Sequence, residues 1–281
     1  MAALTNAFLN ILQSGDEIVS SAGLYGGSID LFRDLEAFGI TTKYVETNNW
    51  EQIEAAIGEH TKLIFAETIA NPGLTVTNIE KMSEIAHNHG VPLIVDNTTA
   101  TPYLIQVLKH GADIVVNSSS KYMNGSSNAI SGILTDGGKF KWDKKKYPGM
   151  SDYVKYGPMA FVAKLRNGIF RNTGACLSPV NAYLNLIGIE TLGLRMEREC
   201  KNALELAHWI AENYSDIIVN YPGLESSSWH HVAKEQFEHG YGAILTLRVG
   251  SKEKAFKFID SLTIPYIISN IGDTKTPKIR D

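Results

Sequence analysis

The sequence predicts an α/β fold: a doubly wound, mostly parallel sheet followed by a partial C-terminal α+β domain. Three observations predict it. Short apolar runs recur at 17–20, 44–46, 62–67, 92–95 and 114–116, and β-branched runs of this length fit strands buried on both faces. Segments with helical periodicity lie between them, and strand alternating with helix builds a parallel sheet. Polar side chains follow the later runs at once, and the carboxyl edge of an open α/β sheet is where ligands bind.

Length and composition bound the rest. The chain has 281 residues, 44% hydrophobic and 20% charged, as in ordinary globular proteins. That length suits one large domain and a smaller second one. The expected boundaries are a large domain over 1–170, connecting helices over 171–235 and an incomplete small domain over 236–281. A net charge of −4 argues against a nucleic-acid partner. The one basic run, 139–146, is interleaved with Phe140 and Trp142 and is expected to be part of an exposed, mobile loop over 139–157. Two cysteines, Cys176 and Cys200, make no disulfide framework and fit a reducing cytoplasm. No run reaches the ~18 apolar residues a membrane span needs, so no membrane partner is expected. The first basic residue is Arg33, so residues 1–12 lack the charged region of a signal peptide. They read as a buried helix capped at Gly15, and a chain that opens on such a helix reads as truncated.

In order, a strand at 17–20 leads into the turn Gly23-Leu24-Tyr25-Gly26-Gly27-Ser28 and a helix over 29–38. Strand, glycine-rich loop and helix let backbone amides approach an anion. Tyr25 there is either a stacking or acid/base group or a packed loop tyrosine. A strand at 44–46, a helix over 50–57 and a strand at 62–67 follow. The last ends in Asn71-Pro72-Gly73, where Asn71 is a turn residue or a ligand group. The helix over 79–88 carries His87 and His89 in its last turn, which match the helix dipole; no further Cys or His cluster completes a metal site. The strand at 92–95 ends in Asp96, a helix is expected over 102–110, and the strand at 114–116 runs into Asn117-Ser118-Ser119-Ser120-Lys121. Another strand is expected at 129–134. Ser178-Pro179 starts a helix that runs to Glu190, with a break near Gly193 and continuation over 196–212. A strand at 242–249 and a helix over 253–261 open the last domain.

Asp96 and Lys121 lie 25 residues apart, enough for strand, helix and strand, so adjacent parallel strands put both at one edge. Asp96 alone reads equally as a helix cap, and Lys121 alone as a solvated lysine. As a pair they match what pyridoxal phosphate requires: a lysine that can form a Schiff base and a carboxylate that can hold a pyridinium nitrogen. The hydroxyls of Ser118 and Ser120 can bond a phosphate.

Leu24-Tyr25-Gly26-Gly27, Ala70-Asn71-Pro72, the run from Val95-Asp96-Asn97-Thr98 to Pro102-Tyr103-Leu104, Gly111-Ala112-Asp113-Ile114-Val115 and Ser118-x-Ser120-Lys121-Tyr122 resemble the cysteine/methionine-metabolism family of pyridoxal-phosphate enzymes. Arg171-Asn172-Thr173-Gly174-Ala175-Cys176-Leu177-Ser178-Pro179 and Gly188-Ile189-Glu190-Thr191-Leu192 resemble its O-acetylhomoserine sulfhydrylase branch. The resemblance implies a type I aminotransferase-like fold, the cofactor pyridoxal 5'-phosphate and a homo-oligomer, dimer or tetramer. It implies Lys121 as the cofactor-bearing lysine, Asp96 on the ring nitrogen, Ser118 and Ser120 on the phosphate, Asn71 at the ring hydroxyl, Tyr25 stacked on the ring and Asn270 near the substrate carboxylate. Met1 aligns with the methionine of a Ser-Gly-Met phosphate motif. The implied reaction is γ-replacement on O-acetylhomoserine by sulfide or a thiol. The alternatives are a cystathionine γ-synthase or γ-lyase type enzyme, or a truncated, non-catalytic relative that binds cofactor or a full-length partner. Gly125-Ser126 stands where the family has Gly-His, and Arg280 is not in the family's carboxylate-binding motif.

Overall fold

The chain alternates helix and strand through its first half. The computed structural model describes residues 1–268 and 270–275 and the backbone of Pro277–Lys278. Helix α1 (Ala2–Ile11) precedes β1 (Glu17–Ser21), α2 (Gly26–Glu36), β2 (Thr41–Val45), α3 (Trp50–Ala56), β3 (Thr61–Glu67), α4 (Ile79–Asn88), β4 (Leu93–Asp96), α5 (Thr101–Leu104), β5 (Ile114–Asn117) and β6 (Ile133–Asp136). The six strands lie in the order β2-β1-β3-β4-β5-β6. The first five in sequence are parallel, and β6 runs antiparallel to β5. The strand order reverses at β1, so the crevice between β1 and β3 is the topological switch point where such sheets bind ligands.

Alternation along each strand builds two cores. Ile64, Ala66, Leu93, Val95 and Val115 face one layer, with Ile53 of α3, Met82 and Ile85 of α4 and the residues Met196 and Cys200. Leu63, Phe65, Ile94, Ile114 and Val116 face the other, with Phe8 of α1, Phe32 of α2 and Phe161. Phe65 meets Phe8 and Phe32 edge-on, with ring centroids 5.4 and 5.6 Å apart. Two-sided burial explains why β3, β4 and β5 read as continuous apolar runs. The edge strand β2, with sequence TTKYV, buries only Val45.

The second half is mainly helical. It holds α6 (Ala160–Asn167), α7 (Ile169–Thr173), α8 (Pro179–Glu190) and the long α9 (Leu192–Asn213). The Ser178 hydroxyl caps α8 by accepting from the Asn181 amide, with Pro179 in the first turn, as the sequence predicts. β7 (Ile218–Asn220), α10 (His230–Gln236), β8 (Thr246–Arg248), α11 (Lys252–Ser261), β9 (Tyr266–Ile267) and β10 (Pro277–Lys278) follow. β7 pairs antiparallel with β8, and β9 pairs parallel with β10. Among the described residues no helix is long and apolar enough to cross a membrane.

Several expected boundaries move. α1 ends at Ile11 because Leu12 is extended; Gly15 turns instead at φ 93° and donates to the Gly39 carbonyl. α5 stops at Leu104 rather than near residue 110, since Ile105 is extended. The carbonyls that would continue it are taken from outside: Glu238 donates its amide to Leu104 O, and Asn97 its side-chain amide to Ile105 O. The strand expected at 129–134 forms at 133–136, the one at 242–249 shortens to β8, and the break expected near Gly193 falls at Thr191. The segment 139–157 is not a free loop. Phe140, Trp142 and Tyr147 pack edge to face, Trp142 and Tyr147 are buried, and the Tyr147 hydroxyl lies 3.0 and 3.2 Å from the carbonyls of Lys62 and Gly90.

Candidate active site

Parallel strands put their carboxyl ends at one edge, and the nominated residues collect there. Tyr25 follows β1, Asn71 follows β3, Asp96 ends β4, and Ser118, Ser120 and Lys121 follow β5. Hydrogen bonds run along this edge from strand to strand. The Tyr25 amide donates to Glu67 Oε1 at 2.6 Å. Glu67 stands beside Asp96 in the β3–β4 register. The Thr98 amide and hydroxyl donate to Asp96 Oδ1 at 2.9 and 2.5 Å. The Ser118 amide donates in turn to Thr98 Oγ1 at 2.7 Å.

Lys121 Nζ donates to Asn270 Oδ1, which brings the C-terminal loop onto the lysine. Asn270 donates to Ser127 Oγ at 2.5 Å, and Ser127 donates to Asp273 Oδ2 at 2.7 Å. Ser127 adopts φ 53°, a left-handed conformation that non-glycine residues enter at a cost and that clusters at functional sites. The turn bearing Lys121 is held from behind. Arg195 donates to the carbonyls of Tyr122 and Gly188 at 2.6 and 2.7 Å. Gly188 and Gly272 have no room for a Cβ, which would fall 2.2 Å from Asn124 O and 2.5 Å from Tyr122 N. Ser120 Oγ accepts from the Ser131 amide at 2.7 Å and donates to its carbonyl at 3.0 Å, so that hydroxyl already closes the turn.

Tyr25 is half exposed, and its ring lies against Gly27, where a Cβ would fall 2.6 Å from a ring carbon. Asn71 is partly buried in the loop closed by the Ile69–Val76 bridge. Met1 is exposed at the start of α1. The other seven nominated residues lie along one edge. Ser269 and Arg280 lie outside the described residues. His87 turns away and pairs with Asp113 at 2.8 Å.

Glu67 is the site residue that the strand reading passed over. It closes an apolar run, and a carboxylate inside a strand buried on both faces was the available signal, because such a group is rarely buried without a purpose. Burial first, and then the neighbouring Asp96, push its pKa up to about 8, against the Tyr25 and Asn71 backbone amides that lower it. Burial also raises Asp96, and the two bonds from Thr98 oppose that rise. Burial lowers the Lys121 amine, which favours the free base that a nucleophile or general base needs.

These residues fit pyridoxal phosphate on their own chemistry. Among the described residues the Asp96 carboxylate receives its hydrogen bonds on Oδ1, and an aromatic nitrogen cation against it would offset its burial. An amine, hydroxyls and a tyrosine ring stand on the same edge.

The Cys/Met metabolism PLP-dependent enzyme family model matches residues 1–277. The O-acetyl-L-homoserine sulfhydrylase of Corynebacterium glutamicum is 40% identical over 294 residues, covering 98% of this chain and 67% of that protein. The O-acetyl-L-homoserine sulfhydrylase of Leptospira meyeri is 39% identical over 291 residues, covering 96% of this chain and 66% of its own length. The chain thus spans about two thirds of these curated relatives. A solved O-acetylhomoserine sulfhydrylase of Wolinella succinogenes superimposes with a TM-score of 0.89 at 42% identity, over 98% of this chain and 80% of that one. A putative O-acetylhomoserine (thiol)-lyase of Campylobacter jejuni, solved with a pyridoxyl-lysine monophosphate, does so at 0.89 and 32% identity, over 99% and 72%.

Proposed function

The chain belongs to the Cys/Met-metabolism family of pyridoxal-phosphate-dependent enzymes, and on that premise we propose that it catalyses γ-replacement on O-acetylhomoserine. Sulfide or a thiol takes the place of acetate at the γ-carbon, and homocysteine or methionine is released. The observation that carries this reading is the Lys121 amine, lowered by burial and held on Asn270, at the sheet edge where Asp96 ends β4.

The cofactor, when bound, supplies an electron sink for charge that develops at the substrate α-carbon. The chain's residues do the rest. Asp96 keeps the ring nitrogen protonated, because an opposite charge favours the cation. Lys121 holds the cofactor and, once freed by substrate, takes and returns protons at Nζ for the α- and β-carbons. Ser118 anchors the phosphate, Ser120 joins it by turning its hydroxyl from the Ser131 carbonyl, Asn71 meets the ring hydroxyl, and Tyr25 covers the ring face. Met1 borders the phosphate end. Asn270 leaves Lys121 to receive the substrate carboxylate.

The enzyme is further proposed to act in the cytoplasm as a homo-oligomer. The support is an apolar face that the described chain leaves uncovered: Val180, Tyr183 and Leu186 on α8 and Leu194 on α9 are 63–72% exposed.

The test is turnover of O-acetylhomoserine with sulfide, measuring homocysteine against 2-oxo acid. Homocysteine as main product supports the reading. Dominant elimination points to a cystathionine-type lyase. A cofactor adduct without turnover points to a non-catalytic binding protein.

A further inference from the structure

Glu67 is 6% exposed at the end of β3 and makes no salt bridge among the described residues. Its carboxyl works on backbone instead. Oε1 accepts the Tyr25 amide at 2.6 Å, and the Asn71 amide acts on the same carboxyl. These amides belong to the two loops that flank the switch point between β1 and β3. One loop carries Tyr25 for a ring face and the other carries Asn71 for the ring hydroxyl. The strand end is itself fixed, since the Thr77 hydroxyl donates to Glu67 O at 2.7 Å and the Thr68 amide to Asp96 O at 3.0 Å. Tyr25 N-caps α2 without a side-chain cap bond, and its own amide is held by the Glu67 carboxyl.

We propose that Glu67 is a positioning residue of the cofactor site, whose buried carboxyl sets the Tyr25 and Asn71 loops at a fixed height above Asp96. It touches no cofactor atom and acts through the two loops. This rests on the roles given above to Tyr25 and Asn71. A protonated carboxyl suits the task beside Asp96, because it still accepts the Tyr25 amide and adds no second negative charge; the raised pKa of Glu67 agrees with this.

The test compares the full chain with Glu67→Met, which keeps the volume and removes the acceptor, and Glu67→Gln, which keeps an acceptor oxygen. Pyridoxal phosphate affinity is read by absorbance titration, Tyr25 amide protection by hydrogen exchange, and melting without cofactor by calorimetry. Losing an acceptor for a buried amide makes Glu67→Met bind about tenfold more weakly and exchange Tyr25 about tenfold faster. Its melting temperature without cofactor is no lower than wild type. Glu67→Gln returns affinity and protection to within about threefold of wild type. Wild-type affinity and protection in Glu67→Met would overturn the proposal. So would a Glu67→Met chain that does not fold, since the carboxyl would then hold the fold and not the loops. Failure of the wild-type chain to bind the cofactor would overturn the site reading, and the proposal with it.

Discussion

Glu67 and Asp96 stand side by side on β3 and β4, and both are raised by burial. The sign of the pH effect follows. Glu67 goes from an ordinary 4.5 to about 8 on folding, so between those values the unfolded chain has lost a proton that the folded chain keeps. Stability of the cofactor-free protein therefore falls as pH rises from about 4.5 to about 8 and levels off above, by an amount on the order of a few kcal/mol. Asp96 acts in the same direction. Urea unfolding at pH 5 and pH 8.5 measures the difference, and Glu67→Gln is expected to remove most of it. Asp96→Asn keeps the shape of the site and loses the charge on the ring nitrogen. It is expected to keep cofactor binding and to lower kcat by about 10²-fold or more, as when other preorganised charges are removed; a full rate in Asp96→Asn would contradict its role. Lys121 and Asp96 were legible in the sequence because Asp96 ends one apolar run and Lys121 follows the next within five residues. Glu67 also closes an apolar run, and its burial was the available signal, but its task was not legible, because its partner is the backbone amide of Tyr25, 42 residues upstream, and a backbone partner leaves no mark on residue type.

Elements were legible where local chemistry decides them. The Ser178-Pro179 cap of α8 and the periodicity of α4 need no distant partner. The end of α5 does: its carbonyls go to Glu238 and Asn97, and neither bond can be read from residues 101–110. The segment 139–157 misled because its lysines other than Lys146 face water while Trp142 and Tyr147 face the core. The packing of α8 on the Lys121 turn gives a further prediction. Gly188→Ala would put a methyl 2.2 Å from Asn124 O and 2.6 Å from Met123 O. Helix and turn must then separate, and the expected result is a loss of about 1–3 kcal/mol of stability, as for other overpacked contacts. Cofactor affinity is expected to fall with it, since that turn carries Lys121. Calorimetry and absorbance titration of the variant check both.

The whole molecule is a switch-point sheet that brings four strand ends to one crevice, and that plan was open to the sequence because two-sided burial forces unbroken apolar runs. What covers α8 was not, since its exposed apolar face shows only once the helix is placed. Tyr183→Glu with Leu186→Glu is expected to dissociate the oligomer, as light scattering would show, because two charges cannot be buried unpaired in an apolar contact. An unchanged mass would remove that face from the interface. The central claim is that this edge holds pyridoxal phosphate on Lys121. Borohydride reduction of the chain with pyridoxal phosphate, followed by peptide mass mapping, tests it most directly. The account predicts a pyridoxyl adduct on the peptide of Lys121 that disappears in Lys121→Ala. A folded chain without an adduct, or with the adduct on another lysine, would contradict it.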